Sequence, residues 1–138
     1  MTDFLWNDLV IGLEQEFEHQ VNPGDIDKFI DICNDYNPLH SNNEYAISQG
    51  FKKRVVHGLL TSSLYSTLVG VYLPGKYALL HSLDVSFLKP VYEDDKLKIN
   101  GKIVFLSDSV KQIEIKAFIT NQNNQKVSRA KIKVGMFE

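Results

Sequence analysis

From about Gly58 to Leu73 runs the most apolar helical segment of the chain, and any fold this sequence adopts has to cover it. Leu60, Leu64, Leu68 and Val71 recur at helical spacing along one face, with Leu59 and Ser63 widening it. Ser62, Ser63, Ser66, Thr67 and Gly70 run beside that face and are small enough to let the helix sit close on a sheet. Pro74-Gly75 stops it. The only available cover is the stretch after Lys76, which reads as strand. His81, Leu83, Val85 and Phe87 alternate with Ser82, Asp84 and Ser86 until Pro90. Leu97, Ile99, Ile103 and Phe105 follow, with Gly101 as a candidate bulge. Ser107-Asp108-Ser109 turns into Val110 to Thr120, where Ile113, Ile115, Ala117 and Ile119 alternate with polar positions. Asn121 to Asn124 turns again into Val127 to Phe137. Long strands joined by short polar turns make an antiparallel meander with one face on the core. The economical architecture is an α+β domain, a curved antiparallel sheet wrapped around one helix, spanning 1–138 as a single unit.

The first half carries weaker signals. Glu14 to Val21 alternates, so a short first strand is expected there. Asn22-Pro23 reads as an N-cap followed by proline at the first helical position. Ile26, Phe29, Ile30 and Cys33 then form one apolar stripe, which makes Cys33 a packed core residue rather than a nucleophile. No metal-ligand spacing surrounds it. Asn43 to Gln49 has room for one or two helical turns, closed by Gly50.

At 138 residues the chain buries a core without metals or disulfides, and its single cysteine rules out an internal disulfide. Fifteen basic against seventeen acidic residues argue against a nucleic-acid binder. No run approaches the roughly 18 apolar residues needed to span a bilayer. The N-terminus lacks the basic-then-apolar pattern of a secretory signal, so a cytoplasmic protein with no membrane partner is expected.

One segment stands apart chemically. Asn34-Asp35-Tyr36-Asn37-Pro38-Leu39-His40 places two titratable groups five residues apart across a proline. On a continuous helix five residues turn through about 500°, leaving the two side chains about 140° apart. Pro38 prevents that helix and biases Asn37 to an extended conformation, so the chain turns between Asp35 and His40. A turn of that kind can aim both into one cleft, where a carboxylate and an imidazole bind water and move its proton. The same residues also suit a helix-ending Asp, an Asx turn at Asn37 and a surface His. Further on, Gly58 begins the central helix, where N–H groups favour negative charge and a missing Cβ admits a ligand. Gly58 suits close helix–sheet packing equally well. His57 reads as a helix-start residue with local hydrogen bonds rather than a catalytic base. In Lys52, Lys53 and Arg54, a solvated loop is favoured over a site for a phosphate-bearing carrier.

Taken together, these blocks resemble the MaoC-like, (R)-specific enoyl-CoA hydratase family. Its hydratase motif, Asp-x-Asn-Pro-(Leu/Ile)-His, stands here as Asp35-Tyr36-Asn37-Pro38-Leu39-His40. Tyr45-Ala46, Val56-His57-Gly58-Leu59, Leu73-Pro74-Gly75 and Ser86-Phe87-Leu88-Lys89-Pro90-Val91 follow in the family's order, so the match runs from about Gly12 to the C-terminus. The resemblance implies a hot-dog fold, a homodimer or higher homo-oligomer, and a substrate tunnel near the subunit interface. It makes Asp35 and His40 the water-activating pair and the Gly58 N–H an oxyanion donor, with Asn37 and Ser66 as polar groups of the substrate site. The implied reaction adds water across a trans-2-enoyl thioester to give the (R)-3-hydroxyacyl thioester, or reverses it. The carrier is coenzyme A or an acyl carrier protein, with no metal or other cofactor. A hot-dog thioesterase and a non-catalytic acyl-thioester-binding module are the alternatives. One departure bears on the site: Asn34 stands where the family commonly has Gly.

Overall fold

The alternating second half forms four of the five strands of one antiparallel sheet in the computed structural model, which describes residues 1–138. The strands are β1 (Glu14–Gln20), β2 (Ala78–Phe87), β3 (Lys96–Ser107), β4 (Gln112–Thr120) and β5 (Lys126–Met136), in the spatial order β1-β3-β4-β5-β2. Because side chains alternate along a strand, Ile99, Ile103, Ile113, Ile115, Ile119, Ile132 and Val134 share one face, and all are fully buried. Their cover is the helix α4 (Gly58–Thr67), continued by a wider π-helical turn over Leu68–Tyr72. This is the expected sheet around a helix, an α+β hot-dog arrangement.

The helix meets the sheet through Thr61, Leu64, Tyr65, Leu68 and Val69. The sequence pattern widens this face with Leu59 and Ser63, but Leu59 is 70% exposed and Ser63 is also exposed. The face is centred on the row through Thr61 and Leu68, which turns Leu59 and Ser63 away from the sheet. Tyr65 is buried with its hydroxyl 2.7 Å from Ser128 Oγ on β5, and burial pushes the phenol up to about 12. Gly101 is not the bulge. A Cβ there would lie 2.6 Å from Leu68 Cδ2, so the glycine lets the helix sit directly on β3, while the irregularity falls between Ile103 and Phe105.

β2 departs most from expectation. It is an edge strand, and a bulge between Leu80 and Ser82 throws His81 outward over Gly135, beside Gln112. Of the four residues expected on the core, only Val85 is even partly buried; Leu83 and Phe87 remain 38% and 53% exposed. With no strand on its far side, and with the central helix reaching it only near its two ends, β2 offers a free edge and a largely uncovered inner face.

In the first half, α1 (Asp25–Cys33) starts later than Asn22-Pro23 suggests. The Asn22 N–H donates to Asp25 Oδ2 and the Asp25 N–H to the Asn22 carbonyl, closing a tight turn, and Gly24 at φ 94° leads into the helix. Its stripe is buried at one end only: Ile26 is fully enclosed, Phe29 and Ile30 partly, and Cys33 is exposed at the last turn. Two short helices follow, α2 (Pro38–Ser41) and α3 (Asn43–Ser48), with Gly50 at φ 93° ending the second. No helix is long and apolar enough to cross a membrane.

Candidate active site

The turn that aims Asp35 is set by its predecessor. Asn34 caps α1 in the left-handed region at φ 60° and ψ 23°, donating its N–H to the Ile30 carbonyl at 2.7 Å. Asparagine tolerates that conformation better than other non-glycine residues, so the substitution for glycine leaves the turn possible. Asp35 Oδ1 then accepts from the Asn37 N–H at 3.3 Å, and Asn37 Oδ1 accepts from the Leu39 N–H at 3.0 Å. The Asn37 side chain is therefore engaged as the N-cap of α2, with Pro38 at its first position. Its work is to shape the backbone between the two titratable groups.

α2 brings His40 round to face Asp35. The His40 Nδ1 lies 2.7 Å from the Val55 carbonyl, and a carbonyl only accepts, so Nδ1 carries the proton and Nε2 keeps its lone pair in the neutral ring. Residues 54–57 supply the matching frame. The Val55 N–H donates to the Leu39 carbonyl at 3.0 Å, and the Val56 N–H donates to Val91 at 2.8 Å. Arg54 ties this frame down. Its guanidinium bonds Asp27 on α1 and Glu93 beyond β2, both at 2.7 Å. The Asp27 hydrogen bond raises the Arg54 pKa and holds the Asp27 carboxyl below its ordinary value. Arg54 is thus committed to internal ion pairs, while Lys52 remains exposed with its Nζ 5.9 Å from the centre of the Tyr92 ring.

His57 closes the arrangement. It is 2% exposed, its Nε2–H donates to the Asp35 carbonyl at 2.9 Å, and its ring stacks on His40 with centroids 3.9 Å apart and planes 22° apart. Asp35, His40 and His57 each present a nitrogen or carboxylate oxygen within 4.8 Å of the others. Stacked rings direct their in-plane lone pairs side by side rather than onto one point, which suits hydrogen bonding better than coordination of a metal. Sequence reasoning gives His57 local hydrogen bonds only. Its reach across 22 residues to Asp35 has no local signature.

Gly58 follows at once as the first residue of α4. Neither its N–H nor that of Leu59 has a protein acceptor, as expected at a helix start. A Cβ on Gly58 would lie 2.8 Å from Phe87 Cε1, so the glycine leaves space between the helix start and the end of β2. That space is a cleft of about 460 Å³ with His40, Gly58, Leu59, Thr61, Phe87 and Pro90 among its walls. Within a single chain Ser66 stays apart: it is exposed on α4, eight residues or about 12 Å beyond Gly58, and lines neither this cleft nor the apolar groove on the other side of the helix. The structure therefore brings Asp35, His40 and Gly58 together, adds His57, gives Asn37 a backbone role, and leaves Ser66 outside.

Known proteins are similar to most of this chain. The (R)-specific enoyl-CoA hydratase of Aeromonas caviae is 29% identical over 100 residues, 72% of this chain and 75% of that protein. The 3-hydroxybutyryl-CoA dehydratase of Methylorubrum extorquens is 31% identical over 101 residues, 73% of this chain and 64%, just under two thirds, of its own length. Among solved structures, the (R)-hydratase from A. caviae involved in PHA biosynthesis superposes with a TM-score of 0.89 at 25% identity, covering 94% of this chain and 98% of that one. The sequence profile described as the MaoC like domain matches residues 10–126, and the chain belongs to that family.

Proposed function

We propose that this protein is a hydro-lyase interconverting a trans-2-enoyl thioester and the (R)-3-hydroxyacyl thioester. The observation that carries this reading is that His40 is shared: it lies within 4.8 Å of the Asp35 carboxylate and walls the same cleft as Gly58, whose N–H has no protein acceptor. A water between Asp35 and His40 loses a proton to the pair as its oxygen bonds C3. The electrons of the double bond move toward the carbonyl, whose developing charge the Gly58 N–H and the start of α4 stabilise. The pair then returns a proton to C2. The balance of atoms is complete with water alone, so the reaction calls for no metal or redox cofactor. Dehydration is the reverse.

A second copy of the chain is the natural partner. The free edge of β2 and the uncovered Leu80, Leu83 and Phe87 invite antiparallel pairing with another β2, which extends the sheet and covers an apolar face. Phe87 also walls the cleft, so that assembly borders the site.

The test uses crotonyl-CoA and longer enoyl-CoA substrates, with parallel enoyl-carrier-protein substrates, following loss of enoyl absorbance and release of free thiol. Absorbance loss without thiol release is expected. Absorbance loss matched by thiol release makes the protein a thioesterase, since hydrolysis also removes the conjugated thioester, and binding with neither signal makes it an acyl-thioester-binding module.

A further inference from the structure

We infer that His57 is a positioning residue that holds Asp35 and His40 in register with the Gly58 donor. This rests on the reading of Asp35 and His40 given above. The imidazole touches each part of the site without facing the cleft. Its Nε2–H makes the one hydrogen bond that the Asp35 carbonyl receives, at 2.9 Å. One ring face lies on His40 at 3.9 Å, and Phe29 packs at 4.9 Å, tilted by 55°. Its backbone leads straight into Gly58.

The same contacts argue against a capping, substrate-binding or space-filling histidine. His57 is the N-cap of α4 but its side chain makes no capping hydrogen bond. It is 2% exposed, so its ring has almost no surface left to offer a substrate. If its task were to fill space between Phe29 and His40, an apolar ring would serve better, because the His57 Nδ1 is enclosed with no partner at all. What histidine adds over phenylalanine is a single N–H at the Nε2 position. Residues 34–37 belong to no helix or strand; the Asn34 and Asn37 N–H bonds shape their turn locally, and the His57 N–H is what ties the Asp35 peptide to the start of α4. Losing that N–H frees the carboxylate to swing, and misplacement of about 1 Å costs about a hundredfold in rate.

Three variants separate positioning from packing. In His57→Gln the side-chain amide nitrogen falls near the Nε2 position, in His57→Asn near Nδ1, and His57→Phe keeps the ring without a donor. Steady-state hydration of crotonyl-CoA is expected to keep kcat within about threefold of the parent in the Gln variant. In Asn and Phe, kcat is expected to fall about a hundredfold with KM little changed. A packing role predicts the opposite order, Phe best tolerated and Gln damaged, and that order overturns the inference, as does a rise in KM alone. The carbonyl ¹³C resonance of Asp35, measured without substrate, provides a readout independent of turnover. It is expected to stay in place in Gln and move in Asn and Phe. An unmoved resonance in both Asn and Phe defeats the inference even if the protein hydrates enoyl thioesters. A parent protein with no hydration removes the proposed function while the resonance still decides the role of His57. Should the Phe variant fail to fold, the Gln–Asn pair carries both measurements.

Discussion

The inner face of the sheet and the segment from Asn34 to Gly58 are held by different physics. Ile99, Ile103, Ile113, Ile115, Ile119 and Ile132 are each completely buried, and what fixes them is removal of apolar surface from water and dense packing. Asp35, Tyr36, Asn37 and Pro38 are all exposed, and their segment is fixed by a handful of hydrogen bonds to Val55, Leu39, His57 and its own turn. The first region tolerates small errors in direction and punishes lost volume. The second has little volume to lose but depends on where each N–H and carbonyl points. Stability and the proposed chemistry thus draw on separable parts of one small chain.

That separation is sharpest at the dyad. Asp35→Asn and His40→Ala are expected to lower hydration about 10²- to 10⁴-fold. The urea midpoint of Asp35→Asn should stay close to the parent's, because that side chain is 53% exposed and replacing it opens no core cavity. His40→Ala also gives up the Val55 hydrogen bond and the His57 stack and should lower its midpoint. An Asp35→Asn midpoint that falls along with the rate breaks the comparison. Ile115→Ala tests the other side: it should cost about 2–5 kcal/mol of unfolding free energy while kcat per folded molecule is unchanged. The two regions touch at Gly58. There Gly58→Ala pushes a methyl against Phe87, and about a tenfold loss of kcat is expected, partly recovered when Phe87→Leu is added. Lack of recovery would place the damage in the helix start itself.

The smallest effect belongs to the clamp. Arg54→Met removes partly exposed ion pairs and should lower stability by about 1 kcal/mol or less at neutral pH. Because Arg54 depresses the Asp27 carboxyl below 3.8, the contribution of that pair is fully present above that value and fades as pH falls below it. Denaturation curves of parent and variant should therefore converge in strong acid. A gap that stays constant below pH 3.8 would deny the pair its role.

How far the sequence is legible follows the same division. The period-two pattern identifies β3, β4 and β5 because most of one face of each is committed to the core, but it fails past the irregularity after Ile103, where Phe105, expected to alternate inward, is 56% exposed. It misleads on β2, where the same alternation runs along an edge strand with a bulge at His81 and little cover inside. The stripe on α1 misplaces Cys33 for a related reason: periodicity shows which residues share a face, not how much of that face finds a partner. At the site, proline and glycine make the bend between Asp35 and His40 and the close approach at Gly58 legible, but those residues suit a surface turn and plain packing as well, and it is the family resemblance that marks them as candidate site residues. The contributions of Arg54, Val55 and His57 are long-range bonds between polar groups, and no spacing within the chain announces them.

Leu68 rests on β3 only because Gly101 has no side chain, with Leu68 Cδ2 2.6 Å from where a Cβ would stand. About 15 Å separates that seat from the opening of the helix at Gly58. A methyl group added at Gly101 would first meet the tips of the Leu68 and Ile115 side chains, which must shift to admit it. The close seat of the helix on the sheet is thus held by two movable tips, and a change there is first of all a change of packing.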